Sequence, residues 1–448
     1  MNLVSNILTT LFARVGVLIC GLISSILLAR VLGPEGRGLF ALILLLPEIA
    51  TAFGLFGFDH ANVVYAGLEP DSRPRLVWHS AVLAAVLGIA CALAMMCYIL
   101  LGAPGFPALA QGPQSLFLLA LSLIPFTILV NYWFPILRGM NHIFLTNAVE
   151  IGSRVTSLLV LIVFLVWLRL GVAGAVVANF VMGLGTLVLS VVLLKHVGVL
   201  GKPSFDWSLW KRTARFAFPA YFSSILTFLN YRVDQLIIAI LLPAEQLGFY
   251  VLAVALAEQL WILNGAAANA LLPHLANSKE RDLALPAVVT RHVLIWTGAG
   301  CLIVFVFGDM LIRALYSPAF ADAVGPLRWL LPGILVATIG KNLGAELLLR
   351  KMVGYILLMA GIAAVVNLVG NWLLVPRMGI SGAALASTIS YSVLSLIQTW
   401  AYLRVTGVGW TTLIPRYSDL WVYVGVWHRI LNALRIQKSL TESVRGEP

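Results

Sequence analysis

Arg154, Arg232 and Lys341 fall near the middle of stretches that are otherwise almost wholly apolar. A charged group at membrane depth is expensive unless it faces a wet cavity or a partner, so these three are candidates to line a cationic lumen. A guanidinium can grip a phosphate with two parallel N–H···O bonds, whereas an ammonium acts as a point charge. Arg14 lies about five residues into its own apolar stretch, ~7.5 Å along a helix, which lets it join the lumen or snorkel to the headgroups. Five acids, Glu48, Glu150, Asp234, Glu258 and Glu346, share these stretches with the four cations, so charge counting leaves the net sign of the lumen open. An unpaired carboxyl in a dry site takes up a proton readily, which makes Glu48, Asp234 and Glu258 the candidates for ion coupling. Pro47 is expected to kink the helix ahead of Glu48 and open hydrogen-bonding positions toward a cavity. Glu48 and Glu258 could equally bond between helices in neutral form. Glu150 and Arg154 have the i, i+4 spacing of an intrahelical ion pair, while Arg232 and Asp234, two residues apart, should point to different sides of their helix.

The elements that must hold these groups are membrane spans. Of 448 residues, 61% are hydrophobic and 10% charged, and the mean hydropathy is +0.98. That composition excludes a soluble globular enzyme, a secreted disulfide scaffold and a disordered protein. Twelve apolar segments are long enough to cross ~30 Å of hydrocarbon. They are expected at Thr9 to Arg30, Leu39 to Phe58, Val77 to Leu101, Gln114 to Leu137, Ile143 to Leu168, Val172 to Leu194, Phe216 to Leu242, Gly248 to Leu272, Val293 to Ile312, Trp329 to Leu349, Tyr355 to Val375 and Ile380 to Tyr402. The amino terminus shows no basic region with a small-residue cleavage site, so the first segment is expected to stay as an anchor.

The net charge of +11 has a topological explanation. Nineteen of the 29 basic residues fall in alternate connections and the tail, six in the opposite connections and four within spans. The positive-inside rule then places both termini in the cytoplasm of a multi-pass inner-membrane protein, and nucleic acid is not needed to account for the charge. Cys20, Cys91, Cys97 and Cys301 lie in apolar blocks without metal-ligand spacing, and the seven histidines lie in or beside the cytoplasmic connections. Neither a disulfide framework nor a metal site is expected. No Walker motif, nucleophile elbow or zinc-binding helix occurs, so no cofactor is expected and neither ATP hydrolysis nor covalent catalysis is supported. From Trp410 the tail is too short to cross again and reads as an interfacial helix held by Trp421, Trp427, Arg429 and Arg435.

The two halves of the chain echo each other. Gly171 to Ala178 (GVAGAVVA) and Gly379 to Ala386 (GISGAALA) match at an offset of 208, and LGPEGRGLFAL aligns with LLPAEQLGFYVLA at 210, pairing Glu35 with Glu245 and Gly38 with Gly248. Each half holds an even number of spans, so the copies share one orientation and describe a parallel repeat. The glycines themselves read as sites of close helix packing. The expected division is residues 1–199 for an N-lobe of six spans, 200–409 for a C-lobe of six, and 410–448 for the tail.

Leu27 to Phe58, Tyr231 to Ala253, the two glycine motifs and LIPRYSDL (Leu413 to Leu420) together resemble polysaccharide-biosynthesis flippases of the Wzx type, in the multidrug/oligosaccharidyl-lipid/polysaccharide exporter superfamily. The resemblance covers essentially the whole chain and implies an all-α membrane protein of twelve spans in two rocking lobes. It implies an undecaprenyl-diphosphate-linked oligosaccharide as cargo for surface polysaccharide, membrane lipids and H+ or Na+ as further partners, and a glycan polymerase and chain-length regulator as neighbours. On that reading Arg154, Arg232, Lys341 and Arg14 would hold the diphosphate. Rival readings are a cation-coupled multidrug exporter and a membrane glycan polymerase or ligase. Twelve spans, against the fourteen usual in lipid II flippases, argue against a peptidoglycan precursor.

Overall fold

The computed structural model describes residues 3–103, 106, 109, 112–262, 264–265, 267, 283–350, 352–416 and 419, with side-chain surroundings only from residue 16 onward. Lipid offers backbone groups no hydrogen bonds, so apolar runs must close their own as helices. Among the described residues, ten helices are long and apolar enough to cross a membrane.

Helix α1 (Leu3–Gly54) has 52 residues but is not one rod. The Arg37 Nη2 lies 3.5 Å from Ser25 Oγ, whereas a straight helix would separate residues twelve apart by ~18 Å. The chain therefore folds back at Gly33, whose φ of +67° only glycine adopts cheaply. Helix α1 is thus a hairpin of the first two expected spans. Pro47 lies inside the second arm, whose torsions stay helical; Gly33 alone leaves helical torsions within α1. The second arm ends instead at Phe56 and Gly57, with φ of +45° and +74°. Beyond them α2 (Phe58–Leu68) continues as helix where a loop was expected.

The remaining helices are α3 (Arg73–Leu100), α4 (Gln114–Leu121), α5 (Ile124–Gly139), α6 (Ile143–Ile162), α7 (Gly171–His196), α8 (Trp207–Leu241), α9 (Ala244–Gln259), α10 (Leu285–Leu311), α11 (Val324–Leu349), α12 (Val353–Met378) and α13 (Ile380–Thr406). Helices α4 and α5 together make one span, Gln114–Gly139. Counting the α1 hairpin as two, and α9 as the described part of the eighth, gives the twelve expected spans. The interfacial helix expected around Trp421, Trp427, Arg429 and Arg435 lies outside the described residues.

Two lobes meet at the end expected to face outward. A Cβ on Gly38 would sit 1.6 Å from the Ala244 carbonyl oxygen, and one on Gly248 would sit 2.1 Å from that of Pro34. Each residue of one copy meets its repeat counterpart's neighbour in the other, which is the reciprocity of a twofold axis. Backbone touches backbone here because neither glycine has a side chain. The span-opening motifs repeat in structure as well. Gly171 and Gly379 have φ of +55° and +58°, and Gly174 and Gly382 leave room for the backbones of Phe164 and Leu374. At the opposite end α8 docks on the N-lobe: Arg212 pairs with Glu69 at 2.9 Å and Arg75 with Asp206 at 3.0 Å. The Asp206 amide also donates to His79 Nε2 at 2.8 Å.

Candidate functional site: a polar cleft and a charged bridge

In the N-lobe, α5, α6 and α7 enclose a cavity of about 530 Å3. Helix α6 contributes Glu150, Ser153, Arg154 and Ser157, whose i, i+3, i+4, i+7 spacing makes one helical stripe. Opposite it stand Thr127, Asn131 and Arg138 of α5 and Asn179 and Thr186 of α7. Glu150 and Arg154 both line the cleft without forming the ion pair that their spacing allows; the salt bridges among the described residues do not include them. Thr127, Asn131 and Thr186 already donate to carbonyls one turn back in their own helices, and the remaining hydrogen-bonding capacity of the lining, with Glu150 and Arg154, suits a polar occupant better than lipid. The surroundings of Arg14 lie outside the described residues.

The other two expected cations are in the C-lobe, and neither stands free. Arg232 of α8 donates from Nε to Glu48 Oε1 at 3.0 Å and from Nη1 to Glu258 Oε1 at 3.4 Å. Glu48 belongs to the second arm of α1 and Glu258 to α9, so the guanidinium bridges the lobes. Lys341 sits with Nζ 3.7 Å from the Trp261 ring centroid and 4.9 Å from that of Tyr231. Tyr391 closes the cage, 5.4 Å from Tyr231 and 5.6 Å from Trp261. Close packing fixes this arrangement: Gly340 abuts Ser395 of α13 and donates its amide to Ser395 Oγ at 2.9 Å, presenting its neighbour Lys341 to the rings.

Asp234 points away from Arg232, as the two-residue spacing requires. It is 1% exposed and accepts from Tyr250 Oη at 2.6 Å and from Ser387 Oγ at 2.9 Å. No cation lies within ion-pair distance of it among the described residues. Below it a buried polar core joins α8, α12 and α13. Asn367 donates to the Asn230 carbonyl at 2.6 Å, Ser390 to Asn230 Oδ1 at 2.5 Å and Asn371 to the Asn367 carbonyl at 2.9 Å. Asn371 Oδ1 and Asn230 Nδ2 have no hydrogen-bond partner. Sequence reasoning passed over this core. Its signal was there in Asn367 and Asn371, four apart in an apolar span. The Glu48–Arg232–Glu258 bridge carried no such signal, since its members are 184 and 26 residues apart.

Two parallel six-span lobes around polar groups at membrane depth define an integral-membrane transporter fold. Solved structures agree on that fold. The chain is similar to "Lipid II flippase MurJ, inward closed conformation" with TM-score 0.74 at 14% identity, covering 98% of this chain and 99% of that one. It is similar to "Inward-facing conformation of a multidrug resistance MATE family transporter of the MOP superfamily" with TM-score 0.72 at 16% identity, covering 90% and 98%. To the outward-facing form so described, the TM-score is 0.62 at 14% identity, covering 90% and 96%. No curated protein matches the chain. Residues 3–279 match the family described as "Polysaccharide biosynthesis protein", and the chain belongs to that family.

Proposed function

We propose that the protein carries an undecaprenyl-diphosphate-linked oligosaccharide from the inner to the outer leaflet of the cytoplasmic membrane by ion-coupled rocking of its two lobes, without covalent chemistry. The observation that carries this reading is the cleft of the N-lobe lined by Arg154, Glu150 and hydroxyl and carboxamide groups, together with a guanidinium bridge between lobes. The lobes are taken as residues 1–199 and 200–409, with both termini in the cytoplasm. Sugars, rich in hydroxyls, suit the Asn, Ser and Thr lining of the cleft. The diphosphate suits the cations Arg154, which lines that cleft, and Arg232 and Lys341, which stand outside its lining, while the polyprenyl chain stays in lipid.

Arg232 is already neutralised by two carboxylates, so an incoming diphosphate must displace Glu48, Glu258 or both. Protonation of those acids would release the guanidinium to the cargo, which links proton uptake to anion binding. Asp234, buried without a cation partner, is the alternative seat for a coupling H+ or Na+. Full-length likeness to a lipid II flippase removes helix number as an argument about cargo, so the cargo rests on the family.

Complementation tests the proposal. In a flippase-null cell, Arg154→Ala, Arg232→Ala and Lys341→Ala at normal expression should each cut surface polysaccharide severely, and full restoration by all three would refute the lumen. Glu258→Gln should tighten pyrophosphate binding to purified protein and flatten its pH dependence. The formal charge of −1 on the bridge, one guanidinium between two carboxylates, also supports a second reading, export of organic cations held by Glu48 and Glu258. Resistance to cationic dyes without a glycan phenotype would select it.

A further inference from the structure

Arg37 is one of the six basic residues that fall in the outward connections. It is 8% exposed. It lies four residues past the Gly33 turn, ~6 Å along the helix, within easy snorkelling reach of the outer surface. Yet the side chain turns inward to the seam between lobes. There Nη2 makes only a long contact, 3.5 Å, to Ser25 Oγ, and Nε has no hydrogen-bond partner. Tyr316, a C-lobe residue, stands close to both Ser25 and Arg37. None of the salt bridges among the described residues includes Arg37. The neighbouring Arg30 differs, since it donates across the seam to the Leu315 and Ala314 carbonyls at 2.8 and 2.5 Å.

The repeat shows what packing alone would place here. Arg37 precedes Gly38, and its counterpart before Gly248 is Leu247, 1% exposed. One of two equivalent seam positions therefore holds an apolar side chain and the other a cation with no counter-ion. Burying an unpaired charge disfavours the state that buries it.

We infer that Arg37 is a positioning residue for transport, a charge lodged in the outer seal that disfavours the closed seal and is relieved when the lobes part. This rests on the rocking reading given above. It goes further in assigning the bias toward outward opening to one side chain. Once the seal opens, the guanidinium meets water and the anionic headgroup of a departing lipid diphosphate, both of which stabilise it.

Glu35 and Glu245 are exposed repeat counterparts on either side of the seal, which makes them the label sites. With Cys20, Cys91, Cys97 and Cys301 replaced, spin labels at Glu35→Cys and Glu245→Cys report the outer opening by pulsed dipolar spectroscopy in nanodiscs. Arg37→Leu should lower the ratio of long to short distances about tenfold or more and raise the unfolding temperature. Arg37→Lys, keeping the charge, should leave the ratio near that of the parent. An unchanged or increased long-distance fraction in Arg37→Leu, or a lower unfolding temperature, overturns the inference. So does failure of both Arg37→Leu and Arg37→Met to fold, which would make the guanidinium a structural support. A parent protein showing one short distance at every pH, with and without lipid diphosphate, refutes the rocking reading itself and the inference with it.

Discussion

Adding a single methyl group at Gly38 should open the outer seal. The new Cβ of Gly38→Ala would lie 1.6 Å from Ala244 O and 2.9 Å from Gly248 N. A carbon and a carbonyl oxygen approach ordinarily to about 3.3 Å, so the α1 and α9 backbones must separate by roughly 1.7 Å. Backbone atoms, unlike the far end of a side chain, cannot rotate out of the way. Overpacking of this kind costs about 1–3 kcal/mol, and taking ~2 kcal/mol gives about a thirtyfold shift from closed toward open seal. The penalty falls only on the closed state, because the crossing exists only there. Gly248→Ala meets Pro34 O at 2.1 Å, so it should act in the same direction and more weakly. The double variant should fall short of the sum, since a seam widened for one methyl already has room for the other. Spin labels at Glu35→Cys and Glu245→Cys read the effect. Gly185→Ala, which meets no atom within 4 Å, is the control and should leave the distances alone. Unchanged distances in Gly38→Ala, with the protein folded, would show that this crossing does not seal the outer end.

Three further outcomes are expected. Asp419 Oδ1 holds Arg291 Nη2 at 2.6 Å in a site where both are nearly buried, so Asp419→Ala should lower stability by about 3–5 kcal/mol, while Arg291→Leu with Asp419→Leu should regain most of it in thermal melts. Asp206 accepts the Leu209 and Ser208 amides at the start of α8, and those bonds with Arg75 hold its carboxyl below the usual carboxylate range. A lowered folded value means its stabilisation is present above the unfolded 3.8 and lost as pH falls from there through the lower folded value; Asp206→Ala should therefore narrow the difference between melts at neutral and strongly acid pH, and an unchanged difference would count against the cap. Gly183 lines the N-lobe cleft with the nearest side chain, that of Leu123, 3.1 Å from its would-be Cβ. Gly183→Tyr should displace Leu123, narrow the cleft and cut lipid-linked oligosaccharide flipping at least tenfold; flipping at the parental rate by the folded variant would show that cargo does not use it.

The spans, their number and their duplication were legible because each depends on local composition: a run of apolar residues, or a glycine pattern repeated at a fixed offset. Gly38 and Gly248 were paired by sequence alone, and the structure sets them against each other. Pro47 sits within helical torsions, whereas the chain breaks at Gly33 and the Phe56–Gly57 pair, where φ turns positive. Membrane-depth charges were visible, but their partners were not. Glu48 meets Arg232 only because two lobes pack together, and Lys341 finds Trp261 only because Gly340 lets α11 lie against α13. The burial of Arg37 was hidden for the same reason: no property of residues 33–38 says that the hairpin end is covered by the other lobe.

The repeat also explains why the lobes are chemically unlike. At the 208-residue offset Asn179 corresponds to Ser387 and Gly183 to Tyr391. In the C-lobe Ser387 binds Asp234, and Tyr391 packs into the cage that holds Lys341. In the N-lobe the same helix face has a carboxamide and a glycine, both lining the cleft, with Leu123 packed against the glycine. One ancestral helix face has thus become a wall in one copy and a socket in the other. On the proposed reading a rocking pair uses both: a lobe that takes the hydroxyl-rich part of the cargo, and a lobe whose charges are held in check by one another until an anion or a proton competes for them. Were both lobes sockets, nothing would oppose binding in either state; were both walls, the cargo would have no place at membrane depth.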